Sequence, residues 1–117
     1  MQQGKIIEIG QEAIDQEENI LIFFGKGVTE GLRPYSIIQE IENPKEVELT
    51  VGDKILFDDQ EYRITYLGKQ ASTNLQTMEH VSFVFSNVPT DKLVGSIYLT
   101  PSVVPKITKN MTITYKG

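Results

Sequence analysis

One side chain in this sequence is equipped for nucleophilic chemistry near neutral pH. His80 is the only histidine among 117 residues, and there is no cysteine. The chain therefore lacks a thiolate nucleophile, and it lacks the second imidazole that a metal site or a histidine-based catalytic pair would need. His80 stands where a helical stretch, Thr73-Asn-Leu-Gln-Thr-Met-Glu79, gives way to the alternating run Val81-Ser-Phe-Val-Phe85. Side chains alternate between the two faces of a strand. Val81, Phe83 and Phe85 are thus expected in the core, and His80, Ser82 and Ser86 on the other face with Val84. This places the imidazole at or near solvent, with the Ser82 hydroxyl on its own side and able to orient one ring nitrogen. A neutral imidazole is a competent nucleophile because histidine changes charge in the range of roughly pH 5 to 8. On residue types alone, a histidine so placed is more often a surface or capping residue.

Other chemistries find less support. No Gly-x-Ser-x-Gly elbow and no second base are present for a hydrolase triad. The sixteen acidic residues show no spacing that singles out a glycosidase-type pair. Asp58-Asp59 and Glu17-Glu18 fall in expected turns. One histidine with scattered carboxylates is too few to argue for a metal centre. Gly25, Gly27 and Gly31 do not form a phosphate-binding loop followed by Lys and Ser or Thr, and Gly25-Lys-Gly27 reads as a turn.

The formal charge of −5 and pI near 4.8 argue against nucleic acid as a partner, because phosphates call for clustered Lys and Arg. The eleven basic residues are dispersed, with no run of three. The longest apolar run, residues 20–24, is far below the ~18 residues of a membrane span, and the first residues lack the apolar segment of a signal peptide. The expectation is one soluble domain over residues 1–117, suited to a reducing cytoplasm and not membrane-embedded. A chain of this length buries roughly two-thirds of its unfolded surface, enough for a core without covalent staples.

The apolar residues fall in short β-branched and aromatic runs separated by Gly, Asp, Asn and Pro, the pattern of a β-rich domain. Strands are expected near residues 5–9, 20–24, 35–41, 54–57, 61–67, 81–85, 96–100 and 111–115. Residues 54–57 and 61–67 flank Asp58-Asp59-Gln60, a turn short enough to define a hairpin, and Gly52-Asp53 supplies a turn leading into it. Thr73-Asn-Leu-Gln76 has capping-box spacing, so one helix of about two turns is predicted from there, with Leu75 and Met78 on one side. Single helical turns are expected over residues 13–17 and 28–32. Many short strands with little helix favour an all-β fold, a small closed or partly closed β-barrel or a sandwich, because closure removes unpaired edges.

Several blocks in order are similar to one known family. They are Gly10-Gln-Glu-Ala13-Ile14-Asp15, Leu21-Ile22-x-Phe24, Tyr35 with Ile38, Tyr62-x-Ile-Thr65-x-x-Gly68, Asn74-Leu75, His80-Val81-x-Phe83-x-Phe85 and Gly95-Ser96-Ile97-Tyr98-Leu99. Together they resemble the glucitol/sorbitol-specific IIA component of the bacterial phosphotransferase system, from about residue 4 to residue 115. The resemblance implies a barrel-like cytoplasmic domain that accepts a phosphoryl group on histidine from the phosphocarrier protein HPr. It then passes the group to the IIB component of a IIB/IIC membrane permease, with no metal or organic cofactor.

The match departs from the family at the chemistry. Members carry the acceptor histidine in a Tyr-x-x-Ile-His pattern, where this chain reads Tyr35-Ser36-Ile37-Ile38-Gln39. An amide cannot form a phosphohistidine-type bond, although Gln39 can hydrogen-bond phosphate. In the later Gly-His-x-Thr block His80 is kept, while Glu79 stands for the glycine and Ser82 for the threonine. Two readings follow. Either His80 is the acceptor, with Gln39 and Ser82 binding phosphate oxygens or orienting the ring, or the chain is a non-catalytic regulatory or binding paralogue. A third, an unrelated barrel, would bind a ligand through exposed Tyr62, Tyr66 and Tyr98.

Overall fold

The computed structural model describes residues 1–15 and 17–117. Its strands are β1 (Gln2–Ile9), β2 (Ile20–Phe24), β3 (Ile37–Ile41), β4 (Lys54–Phe57), β5 (Gln60–Leu67), β6 (Val81–Val84), β7 (Ser96–Thr100) and β8 (Thr112–Lys116). One helix, α1 (Ala71–Met78), precedes β6, and short 3-10 turns cover Arg33–Tyr35 and Pro44–Glu46.

The eight strands close into a barrel in the order β1-β3-β2-β6-β7-β5-β4-β8. Neighbours run antiparallel except at β2/β3 and β6/β7, which are parallel. Closure leaves each strand paired on both sides and fills the interior with alternate side chains. The centre is aromatic: Phe83 packs edge-on against Phe23 and Phe57, each with ring centroids 5.4 Å away. Phe85 and Tyr62 extend the cluster, and Ile6, Ile37, Ile55, Ile64, Ile97, Leu99 and Ile113 complete it from the surrounding strands.

The sequence pattern located all eight strands, and the hairpin forms as expected, with Phe57 opposite Gln60 across a turn at Asp58-Asp59. Asp58 takes a left-handed φ of 54° and is held by reciprocal bonds with Thr112, whose amide donates to its carboxylate and whose carbonyl accepts from its amide. Tyr35 does not open β3. It ends the 3-10 turn that Pro34 helps to nucleate with its fixed φ. The turn predicted over residues 28–32 leads into this one, with the amides of Leu32 and Arg33 both donating to the Thr29 carbonyl. The turn expected over residues 13–17 includes Gln16 and lies partly outside the described residues.

The helix corrects its prediction. It starts at Ala71, its N-cap Gln70 makes no side-chain capping bond, and Thr73 lies within it. Ala71 and Leu75, four apart, are the positions fully buried against the barrel, and that burial sets the helix start. The tyrosines are also not an exposed cluster. Tyr62 and Tyr98 are buried, and the Tyr62 hydroxyl donates to the carbonyl of Val103.

Candidate functional site

His80 is placed by three elements. Helix α1 ends in a left-handed residue, Glu79, with φ 53° and ψ 29°. The Glu79 amide reaches back to the Leu75 carbonyl at 3.0 Å, the five-to-one bond of an αL ending, and the His80 amide reaches the Asn74 carbonyl at 3.2 Å. The imidazole lies nearly parallel to the Phe24 ring, with centroids 3.8 Å apart and planes 12° apart. Its Nδ1 is 2.9 Å from the carbonyl oxygen of Phe23. A carbonyl only accepts, so Nδ1 carries the proton in this arrangement, and the lone pair of a neutral ring lies on Nε2.

Nε2 makes no hydrogen bond among the described residues, and no buried side-chain nitrogen or oxygen there lacks a partner. Nε2 therefore reaches solvent from a half-buried ring. The imidazole is neither sealed in the core nor tied at both nitrogens. Beside it, Phe24, Val28, Leu32, Met78 and Glu79 line a groove of ~310 Å³.

The other two predicted residues sit differently. Ser82 is half-buried on β6, opposite Ile22 of β2, and no hydrogen bond joins it to the imidazole among the described residues. The ring is oriented instead by the Phe23 carbonyl, a contact between residues 57 apart in sequence. Gln39 is wholly buried. It shares the inward face of β3 with Ile37 and Ile41, accepts a 2.6 Å bond from the Tyr115 hydroxyl, and donates through Nε2 to the Glu79 carbonyl at 3.0 Å. Gln39 thus touches the residue before His80, not the solvent in front of it. Burial raises the pKa of the Tyr115 phenol, against the smaller opposing effect of its bond to Gln39.

The sequence reading gave neither Glu79 nor Phe24 a part in the site. The Glu79 carboxylate accepts the Ile41 amide at 2.6 Å. Gly25 makes room for it: a Cβ there would lie 2.9 Å from Glu79 Oε1. The Gly25 amide meanwhile donates to the Met78 carbonyl, which ties the end of β2 to the end of α1. The exposed Lys26 is paired with Glu40 at 2.6 Å. That bond, with Glu79 adding in the same direction, holds its ammonium above the usual lysine range. Among the described residues no three His, Cys, Asp or Glu side chains are arranged to hold a metal ion, and no helix is long and apolar enough to cross a membrane.

Comparison with known proteins agrees with this architecture. Residues 1–114 match the family model for the phosphotransferase system glucitol/sorbitol-specific IIA component. The chain is similar to the crystal structure of the phosphotransferase system IIA component from Enterococcus faecalis V583, with 37% identity and a TM-score of 0.95 over 98% of this chain and 99% of that one. No curated protein matches it. On a family match that runs nearly from end to end, this chain belongs to the glucitol/sorbitol-specific IIA components of the bacterial phosphotransferase system.

Proposed function

We propose that the chain works in the cytoplasm as a IIA-type phosphoryl relay, with Nε2 of His80 as the acceptor. The observation that carries this reading is the division of labour on the ring: Nδ1 is engaged by the Phe23 carbonyl and Nε2 is open to solvent. A carbonyl at Nδ1 fixes the tautomer and leaves the in-plane lone pair on the outward nitrogen. The Phe24 face, stacked on the imidazole, limits how far the ring can turn.

In the transfer, Nε2 attacks the phosphorus carried on a histidine of HPr. The new N–P bond forms as the donor's N–P bond breaks, and its electron pair returns to the departing imidazole. Nδ1 keeps its proton throughout. A second displacement, with the IIB component of a IIB/IIC permease as acceptor, returns His80 to its neutral form. Such transfers need in-line placement and charge stabilisation and no cofactor. Gln39 serves as an orienting residue through the Glu79 carbonyl. Ser82, a hydroxyl near His80 in sequence, is the candidate donor to phosphoryl oxygens.

The buried Gln39 favours a second reading, a non-catalytic partner-binding paralogue. Its amide occupies the position where the family pattern has a histidine, and it is engaged inside the barrel. Incubation with phosphoenolpyruvate, enzyme I and HPr separates the two. Acid-labile, base-stable label that disappears in His80→Ala is expected from the relay. Binding to the partner that survives His80→Ala, with no label at any time, would establish the binding module instead.

A further inference from the structure

We propose that Glu79 is a positioning residue for His80: its carboxylate hooks the turn between α1 and β6 onto β3 and so fixes where the imidazole stands. The inference deepens the relay reading and rests on it for its catalytic meaning. Strands β2 and β3 pair only at Phe23 with Ile37 and Phe24 with Ile38, after which the chain turns away at Gly25. Beyond that point this edge of β3 has no strand partner from β2. The Ile41 amide is satisfied instead by Glu79 Oε2 at 2.6 Å. From the same strand, Gln39 Nε2 donates to the Glu79 carbonyl at 3.0 Å. The two bonds form a clasp in which β3 donates both and Glu79 accepts both, one at its side chain and one at its main chain.

The backbone conformation sharpens the point. At φ 53° glycine is the residue that fits without strain, yet a glutamate stands there and its carboxylate accepts the Ile41 amide. Gly25 leaves the space through which that carboxylate passes. His80 inherits the restraint. Its main chain is fixed by the clasp and by the bond to Asn74, and its ring is fixed by Phe23. A turn free to move would carry the imidazole off the Phe23 carbonyl and release both tautomers.

The single histidine gives one imidazole signal set in nitrogen–proton correlation spectra, so tautomer can be read without assignment. Wild-type protein is expected in the Nδ1–H form. Glu79→Gln keeps an oxygen acceptor for the Ile41 amide and should preserve both the spectrum and the labelling rate. Glu79→Gly relaxes the backbone but removes the hook. It should fold, show a mixture of tautomers, and accept label from phosphorylated HPr roughly tenfold or more slowly. Glu79→Asn tolerates the left-handed backbone but is one methylene shorter, and should behave as Glu79→Gly does. If Glu79→Gly and Glu79→Asn keep the wild-type spectrum and rate, the proposal is overturned. If the wild type never takes label while the two variants still lose the Nδ1–H form, positioning by Glu79 stands and the acceptor role of His80 falls.

Discussion

Tyr115 is where a single atom inside the barrel carries a measurable consequence. Its hydroxyl supplies the partner for Gln39 Oε1, and burial holds its phenol above the ordinary tyrosine value. The unfolded phenol ionises near its usual pKa of about 10, and the folded one only at higher pH. The stability tied to this proton is therefore intact below about pH 10 and is lost as pH rises further, by up to about 1.4 kcal/mol per pH unit. Tyr62, also pushed up by burial, adds in the same direction. Tyr115→Phe should cost about 1–3 kcal/mol at neutral pH, because it strands a buried amide oxygen, and should flatten the alkaline decline by close to one proton. Urea unfolding across roughly pH 8 to 11 measures both; an alkaline slope unchanged in Tyr115→Phe would show that this phenol does not stay neutral in the fold. At this scale the sequence was only partly legible. His80 could be singled out because it is one of a kind. Gln39, expected to bind phosphate oxygens or orient the ring, instead lies between Ile37 and Ile41 at strand spacing and is buried with them. Nothing local announced that the Phe23 carbonyl would meet a ring 57 residues on, or that Glu79 would reach Ile41.

Helix α1 separates two rival causes of a helix start. A capping box at Thr73 would make its hydroxyl worth about 0.5–2 kcal/mol. Burial at Ala71 and Leu75 predicts instead that Thr73→Ala changes stability by no more than about 0.5 kcal/mol. Leu75→Ala, which empties a fully buried site, should cost about 2–5 kcal/mol. Thermal or denaturant melts of the two variants decide between these causes, and a large loss in Thr73→Ala would restore the capping role. The contrast also explains why strands were easier to place than the helix. Alternation in runs such as Val81-Ser-Phe-Val is dictated by which face meets the core, so pattern and burial coincide. A two-turn helix offers few periods, and its ends follow from contacts with Pro44–Glu46 and β6 that no local signal encodes. Tyr35 was misplaced for a related reason: Pro34 starts a 3-10 turn where the apolar pattern alone suggested a longer strand.

For the molecule as a whole, closure is the step on which the site depends. Strand β8 bridges β1 and β4, pairing Gln3 with Thr114 on one side and Leu56 with Thr114 on the other. Residues more than a hundred apart in sequence must therefore meet before the ring of strands is complete. Tyr115 on β8 reaches Gln39, Gln39 reaches Glu79, and Glu79 precedes His80, so the barrel seam is linked to the imidazole through two hydrogen bonds and one peptide link. Removing residues 112–117 would unpair β1 and β4 together and expose two strand edges, the hazard that closed barrels avoid. Such a chain is expected to lose cooperative thermal unfolding by circular dichroism and to scatter light at micromolar concentration. Its histidine signal should collapse toward that of an unfolded peptide. A truncated protein that still melts in one sharp transition and keeps the Nδ1–H imidazole would mean that β2, β3, β6 and α1 hold the site without the seam. The folding rate bears on the same point. Pairing between distant strands places folding in the range of milliseconds to seconds, and the imidazole should acquire its final tautomer in the same kinetic phase that orders β8, rather than in an earlier one that forms α1 alone.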